Sequence, residues 1–153
     1  MEYKVFAVSD NDKKAEFASI ILQKLVEWLG VKKNIQKYVN YLNEYQCWAA
    51  FDNDECIGIF FGRILGNKLG DVYLYGIDPK YNRKGIGTLL YKKVEEYFAK
   101  NGCESIMVNT IDGIGPDGNY QKTRNFYEKM GFAEMLTTLV IDDSDTEYLV
   151  MMK

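Results

Sequence analysis

Asn82-Arg83-Lys84-Gly85-Ile86-Gly87-Thr88 lies between a stretch that alternates like a strand, residues 69–77, and one with the spacing of a helix. The helical stripe is Ile86, Leu89, Leu90, Val94, Tyr97 and Phe98, about four turns long. The strand must end at Asp78-Pro79, because proline has no N–H to give to a ladder and biases the residue before it away from helix. A helix start leaves backbone N–H groups unpaired and carries partial positive charge, which makes it a ready place for phosphate. Glycine at 85 and 87 lets backbone approach an anion with no Cβ in the way, and Lys80, Arg83 and Lys84 add local positive charge. Taken alone, the same stretch also reads as a solvated turn.

Two phosphate motifs are excluded. A Walker loop needs Gly-Lys-Ser/Thr, whereas Gly87 is followed directly by Thr88. The dinucleotide fingerprint needs a third glycine where Leu90 stands. The preceding strand also reads as part of an antiparallel meander rather than of a parallel βαβ unit.

Upstream, residues 2–8 form a first strand. Asp12 is positioned to cap a helix whose stripe is Phe17, Ile20, Ile21, Leu25, Trp28 and Leu29, with Lys24 as its polar exception and Gly30 as its stop. Residues 34–45 form a shorter helix. Residues 47–51, 56–65 and 69–77 form three antiparallel strands joined by turns at 52–55 and 66–68. Downstream, Gly102 ends the second long helix and residues 105–110 form a short buried strand. A glycine-rich loop (Gly113, Gly115, Pro116, Gly118) leads to a helix carrying Tyr120, Thr123, Phe126, Tyr127 and Met130 and closed by Gly131. Residues 132–141 and 147–153 pair as a hairpin across 142–146. The order βααβββαβαββ is an α/β (α+β) fold, a mixed, mostly antiparallel sheet flanked by helices in a single domain over residues 1–153.

Composition narrows the function. The chain has 153 residues, is 47% hydrophobic and 27% charged, and carries a net charge of −3, so as a whole it does not attract nucleic acid or an anionic membrane. It contains no histidine, which removes Ser–His–Asp and Cys–His nucleophile systems and the common zinc sites; no metal is expected. Cys47, Cys56 and Cys103 match neither a disulfide framework nor a zinc pattern. Cys103 reads as a small core residue rather than a nucleophile, having no partner base. The N-terminus has no signal-peptide pattern, and no apolar run reaches the roughly 18 residues a membrane span needs. The expected compartment is the reduced cytoplasm.

Ile77-Asp78-Pro79, followed by Asn82-Arg83-Lys84-Gly85-Ile86-Gly87-Thr88 and Leu90, resembles the acyl-CoA signature of the GNAT superfamily of N-acyltransferases. That signature is usually Gln or Arg, two residues, Gly, any residue, then Gly or Ala; Asn82 departs from it at the first position. Thr123-Arg124-Asn125-Phe126-Tyr127-Glu128-Lys129-Met130-Gly131-Phe132 is similar to the same family's FYEK-x-GF helix and turn. The two blocks fall in the family's order, and the element order matches its fold over nearly the whole chain.

The resemblance implies acetyl-CoA as co-substrate and a splayed central strand pair. The backbone of Tyr75, Gly76 and Ile77 would face its pantetheine, and the amides from Arg83 through Lys84, Gly85, Ile86 and Gly87 to Thr88 would hold its pyrophosphate, with Asn82 at the loop's start. It implies that Tyr127 protonates the departing thiolate, and a phenol of ordinary pKa about 10 carries that proton at pH 7. Tyr127 and Phe126 also read as core aromatics on one helix face. Asp71, six residues before Ile77, resembles the position of a carboxylate base in some members; it reads equally well as a polar residue at a strand start. At an ordinary pKa of about 3.9 it would be a poor base unless burial raised it. Asn119 and Arg124 resemble contacts to pantetheine or phosphate, and read equally as a helix cap and a solvated charge.

The expected function is transfer of an acetyl group to a primary amine of a small molecule or peptide, by direct attack and without an acyl-enzyme. The acidic balance outside the loop favours a cationic acceptor. The competing function is a CoA-binding sensor or interaction module without catalysis. Exposed terminal strands would allow a homodimer.

Overall fold

The computed structural model describes residues 3–25, 42–66, 68–111, 119–138 and 148–153. Seven strands are hydrogen-bonded in the order β1-β2-β3-β4-β5-β7-β6. They are β1 (Lys4–Val8), β2 (Gln46–Asp52), β3 (Glu55–Leu65), β4 (Leu69–Ile77), β5 (Ser105–Ile111), β6 (Ala133–Thr138) and β7 (Tyr148–Met152). The described α-helices are α1 (Asn11–Lys24), α2 (Ile86–Lys100) and α3 (Asn119–Lys129). The chain divides into two compact units, residues 1–63 with 73–102, and residues 64–72 with 103–153.

In the first unit, β1 pairs antiparallel with β2 and β2 with β3, the latter ladder shifting register between Ala50 and Phe51. Helix α1 covers one face. Ala18, Ile21, Leu22 and Leu25 pack with Leu42, Tyr45, Cys47, Ala49, Ile59, Phe61 and Leu74. Helix α2 covers the other, burying Ile86, Leu90, Tyr91, Val94 and Phe98. There Phe60 meets Tyr91 and Trp48 meets Tyr97 edge-on. Two strand glycines bring the helices this close. A Cβ on Gly76 would stand 2.8 Å from a methyl of Leu25 and 2.9 Å from one of Ile21, and a Cβ on Gly58 would stand 2.8 Å from a methyl of Ile77 and 3.1 Å from one of Leu90. The expected alternation of β4 is observed from Leu74 on, with Leu74 and Gly76 toward α1 and Ile77 toward α2, whereas Tyr73, expected on the side of Ile77, stacks on Tyr45 against the α1-side core.

In the second unit, Leu69–Val72 of β4 pair in parallel with Ser105–Val108 of β5. Strand β7 then inserts between β5 and β6, antiparallel to both. Helix α3 stops at Gly131, whose φ of +102° is a left-handed conformation that suits glycine. Gly131 N–H donates to Glu128 O at 3.0 Å and Phe132 N–H to Tyr127 O at 3.0 Å, closing the helix end before β6 begins.

Several expectations are corrected. Asp10, not Asp12, caps α1, its carboxylate accepting from Lys13 N–H at 3.0 Å. Asp12 instead lies in the first turn, where its charge suits the helix dipole. Leu89 is 40% exposed rather than part of the α2 stripe; Tyr91, two residues on, occupies the buried position. Strand β4 does belong to a parallel βαβ unit through α2 and β5, so the dinucleotide motif is excluded by Leu90 alone. Of the proposed second helix, residues 34–41 lie outside the described residues, while Leu42–Glu44 form a short 3-10 turn. Trp28, Leu29, Gly30, the glycine-rich loop at 113–118 and the hairpin turn at 142–146 also lie outside them. Cys103 is half-buried rather than a core residue. The burial of Lys14, whose ammonium donates to Tyr45 O at 2.8 Å, had no sequence signal.

The packing at Gly76 predicts that Gly76→Val, which adds three methyl-sized groups against Ile21 and Leu25, destabilises the fold by about 1–3 kcal/mol. A lowered urea midpoint with an unchanged denaturant slope is the expected result; an unaltered midpoint would show that α1 does not press on β4.

Candidate active site

The first unit carries the loop expected to hold an anion. Strand β4 ends where Asp78 N–H donates to Ile57 O at 2.8 Å. Pro79–Tyr81 then form a 3-10 turn, capped by the Asp78 carboxylate accepting from Lys80 N–H at 3.0 Å. The loop continues through Arg83, with φ of +63°, and Gly85, with φ of +80°. Left-handed backbone costs a non-glycine residue about 1–2 kcal/mol, so Arg83 is a strained position held by its surroundings. Gly85 is the N-cap of α2. It makes no side-chain cap bond, and a Cβ built on it would meet nothing within 4 Å.

The first-turn amides of α2 thus have no side-chain cap, and the space before them is open. Asn82, Arg83, Lys84 and Gly85 are exposed, Gly87 and Thr88 are half-buried, and Ile86 is buried, anchoring the helix start to the core. From Pro79 to Val94 the basic residues are Lys80, Arg83, Lys84, Lys92 and Lys93, with no carboxylate among them. A helix start capped only by glycine, with this local charge, fits a diphosphate.

Two carboxylates outside the loop anchor it, and neither was recognised in the sequence. Asp52 accepts from the Tyr81 hydroxyl at 2.8 Å, which keeps that phenol protonated and pushes its pKa up to about 12. Lys84 lies 5.3 Å from the centre of the Tyr81 ring. Asp78 accepts from Lys24 Nζ at 2.8 Å. Burial works against the charge of Asp78, but the bonds from Lys24 and from Lys80 N–H outweigh it and hold the carboxyl below its ordinary range. The bond to Asp78 in turn raises Lys24.

On β4 ahead of this loop, Tyr75 packs its ring 5.3 Å from Phe60, and burial pushes its phenol up to about 12. Gly76 and Ile77 complete the strand and are buried. The two buried thiols are held in their protonated form: burial pushes Cys47 up to about 12 and Cys56 up to about 11.

The second unit carries the other expected residues. Tyr127 is 2% exposed, with the rings of Phe126 and Phe132 each 5.3 Å from its own at 71°. Asp71, which pairs with Met107 in the β4–β5 ladder, is 7% exposed. Arg124 is 6% exposed, which corrects its reading as a solvated charge. Asn119 opens α3, and its side chain lies outside the description. Among the described residues, no group of three or more Cys, Asp or Glu side chains is arranged to hold a metal ion. No described helix is long and apolar enough to cross a membrane.

Comparison with known proteins bears on the fold and the family. Residues 20–132 match the acetyltransferase (GNAT) family. N-alpha-acetyltransferase 30 of Xenopus laevis is 25% identical over 118 residues, covering 73% of this chain and 41% of that protein. The chain therefore spans well under half the length of that curated relative. Among solved structures, Ard1 from Thermoplasma volcanium superposes with a TM-score of 0.76 at 14% identity, covering 100% of this chain and 97% of that one. An aminoglycoside 6'-N-acetyltransferase complexed with coenzyme A superposes with a TM-score of 0.73 at 18% identity, covering 100% and 96%. These likenesses establish the fold, and the match over most of the sequence establishes the family: the chain belongs to the GNAT acetyltransferases.

Proposed function

We propose that this chain is a single N-acetyltransferase domain that moves an acetyl group from acetyl-CoA to a primary amine. The observation that carries this reading is the start of α2, where a left-handed glycine leaves helix amides uncapped in open space beside Lys80, Arg83 and Lys84. Acetyl-CoA, when bound, supplies an activated thioester. The amides from Arg83 to Thr88 bind its diphosphate, with Ile86 fixed in the core behind them. The backbone of Tyr75, Gly76 and Ile77 offers donors and acceptors to the pantetheine. Asn82, standing where the family usually has Gln or Arg, adds no cation, so the burden falls on backbone and on Arg83 and Lys84.

Tyr127 donates the proton that a departing thiolate needs; its phenol is the acid of the reaction. Asp71 takes the proton that an ammonium must lose before nitrogen has a lone pair to attack with, and its carboxyl is withdrawn from solvent as such a base requires. Arg124 is withdrawn from solvent too, and Asn119 lies at the start of the same helix; both are assigned to cofactor contacts. The acceptor to try first is the α-amino group of a peptide, because the Xenopus relative carries the name of an N-alpha-acetyltransferase.

Release of free thiol from acetyl-CoA in the presence of a panel of peptides, polyamines and aminoglycosides tests the reaction. Turnover with at least one amine is expected. Coenzyme A binding without turnover on any amine would instead make the chain a binding module. Tyr127→Phe removes a hydroxyl and keeps the ring that packs on Phe126 and Phe132. It should lower kcat about 100-fold and leave the KM for acetyl-CoA nearly unchanged. An unchanged kcat would leave Tyr127 as a core aromatic.

Gly85→Glu puts a side chain and a negative charge where φ is +80° and space is open. Affinity for coenzyme A, measured by calorimetry, should fall by about tenfold or more. Wild-type affinity in that variant would mean that the diphosphate binds elsewhere.

A further inference from the structure

Lys24 is the polar exception in the apolar stripe read from the sequence of α1, and the structure accounts for it. The Lys24 ammonium donates to Asp78 Oδ2 at 2.8 Å and to Glu55 Oε1 at 3.3 Å. Glu55 is largely exposed, while the Asp78 side chain is only 3% exposed, so Asp78 is the partner that depends on this cation. Asp78 is fixed in three directions. Its N–H bonds to Ile57 of β3, its Oδ1 caps the turn at Lys80, and its Oδ2 meets Lys24.

That turn feeds directly into Arg83 and Gly85, the two left-handed residues that shape the start of α2. Besides Asp78, the stretch from Pro79 to Gly85 is tied by Tyr81 O–H to Asp52 at 2.8 Å and by Asn82 N–H to Pro79 O at 3.2 Å. A carboxylate this withdrawn from water needs its counter-charge. If Lys24 is removed, Asp78 must turn toward solvent or take a proton. Either change disturbs the cap on the turn and, through it, the direction in which the loop amides point. An uncompensated anion at the loop's entrance also opposes a second anion beside it.

We propose that Lys24 is a positioning residue for the phosphate loop, acting through Asp78. It sets affinity for the co-substrate and takes no part in proton transfer. The inference rests on the acetyl-CoA reading above and deepens it.

The test compares Lys24→Met, Lys24→Arg and Asp78→Asn with the wild type, using coenzyme A affinity by calorimetry and steady-state kinetics with acetyl-CoA. Lys24→Met should raise the Kd for coenzyme A and the KM for acetyl-CoA about tenfold, with kcat within about twofold. Lys24→Arg keeps the charge and should stay near wild type. Asp78→Asn removes the same contact from the other side and should raise KM in the same way. Lys24 is about one-third exposed at a helix end, so folding of its variants is expected, and circular dichroism checks it. Wild-type Kd and KM in folded Lys24→Met would overturn the proposal while leaving the acetyl-CoA reading intact. So would a loss confined to kcat. Failure of the wild type itself to bind coenzyme A would overturn both.

Discussion

The uncapped amides at the start of α2 are the constraint around which the first unit is arranged. A helix normally closes its first turn with a side chain or with water; here Gly85 supplies no side chain and no side-chain cap bond is made. Keeping the amides in one place requires a rigid root behind an exposed loop. Ile86 and Leu90 provide it by packing against Gly58 and Ile77, and a side chain at Gly58 would push the helix off the sheet. The glycines thus serve two opposite purposes: Gly58 and Gly76 admit tight packing, whereas Gly85 leaves space open.

The loop itself has little burial to stabilise it, so polar contacts of unequal strength shape it. Arg83 adopts a left-handed conformation that disfavours a side chain, and such a conformation persists only where neighbours over-determine it. Asp78 with Lys24, and Tyr81 with Asp52, tie down the stretch that leads into it. Both pairs reach from the loop to elements far away in sequence: α1 in one case and the end of β2 in the other. The geometry of the loop is thereby linked to parts of the chain distant from it in sequence.

What could be read from the sequence follows the range of the interaction concerned. Strand β4 was legible to the residue because a turn opens it and Asp78-Pro79 closes it, both local effects. The α2 loop was legible because glycine, helix start and basic residues are contiguous. Lys24 stood out as a polar residue in an apolar stripe, but its partner lies 54 residues away and periodicity cannot supply it. The parallel pairing of β4 with β5 was missed for the same reason: a run of hairpin-like strands gives no local sign that the last one also takes a parallel neighbour. Asp10 displaced Asp12 as the cap because the two differ by only half a turn of helix. The burial of Arg124 and Lys14 had no signal, since charge alone predicts exposure.

The net charge of −3 is a poor guide to what the chain binds. At physiological ionic strength, interactions between exposed charges decay over about 8 Å, so a bound anion feels its own neighbourhood and little of the rest of the surface. In this chain that neighbourhood is Lys80, Arg83 and Lys84, with the positive end of the α2 dipole behind them. Asp78, the carboxylate nearest in sequence on the upstream side, is matched by Lys24, and Asp52 accepts from Tyr81. An acidic protein can therefore present an anion site without basic composition, provided that each carboxylate close to the site has a partner. Lys24, standing in the apolar stripe of α1 where packing alone would select a hydrophobic residue, meets that condition for Asp78.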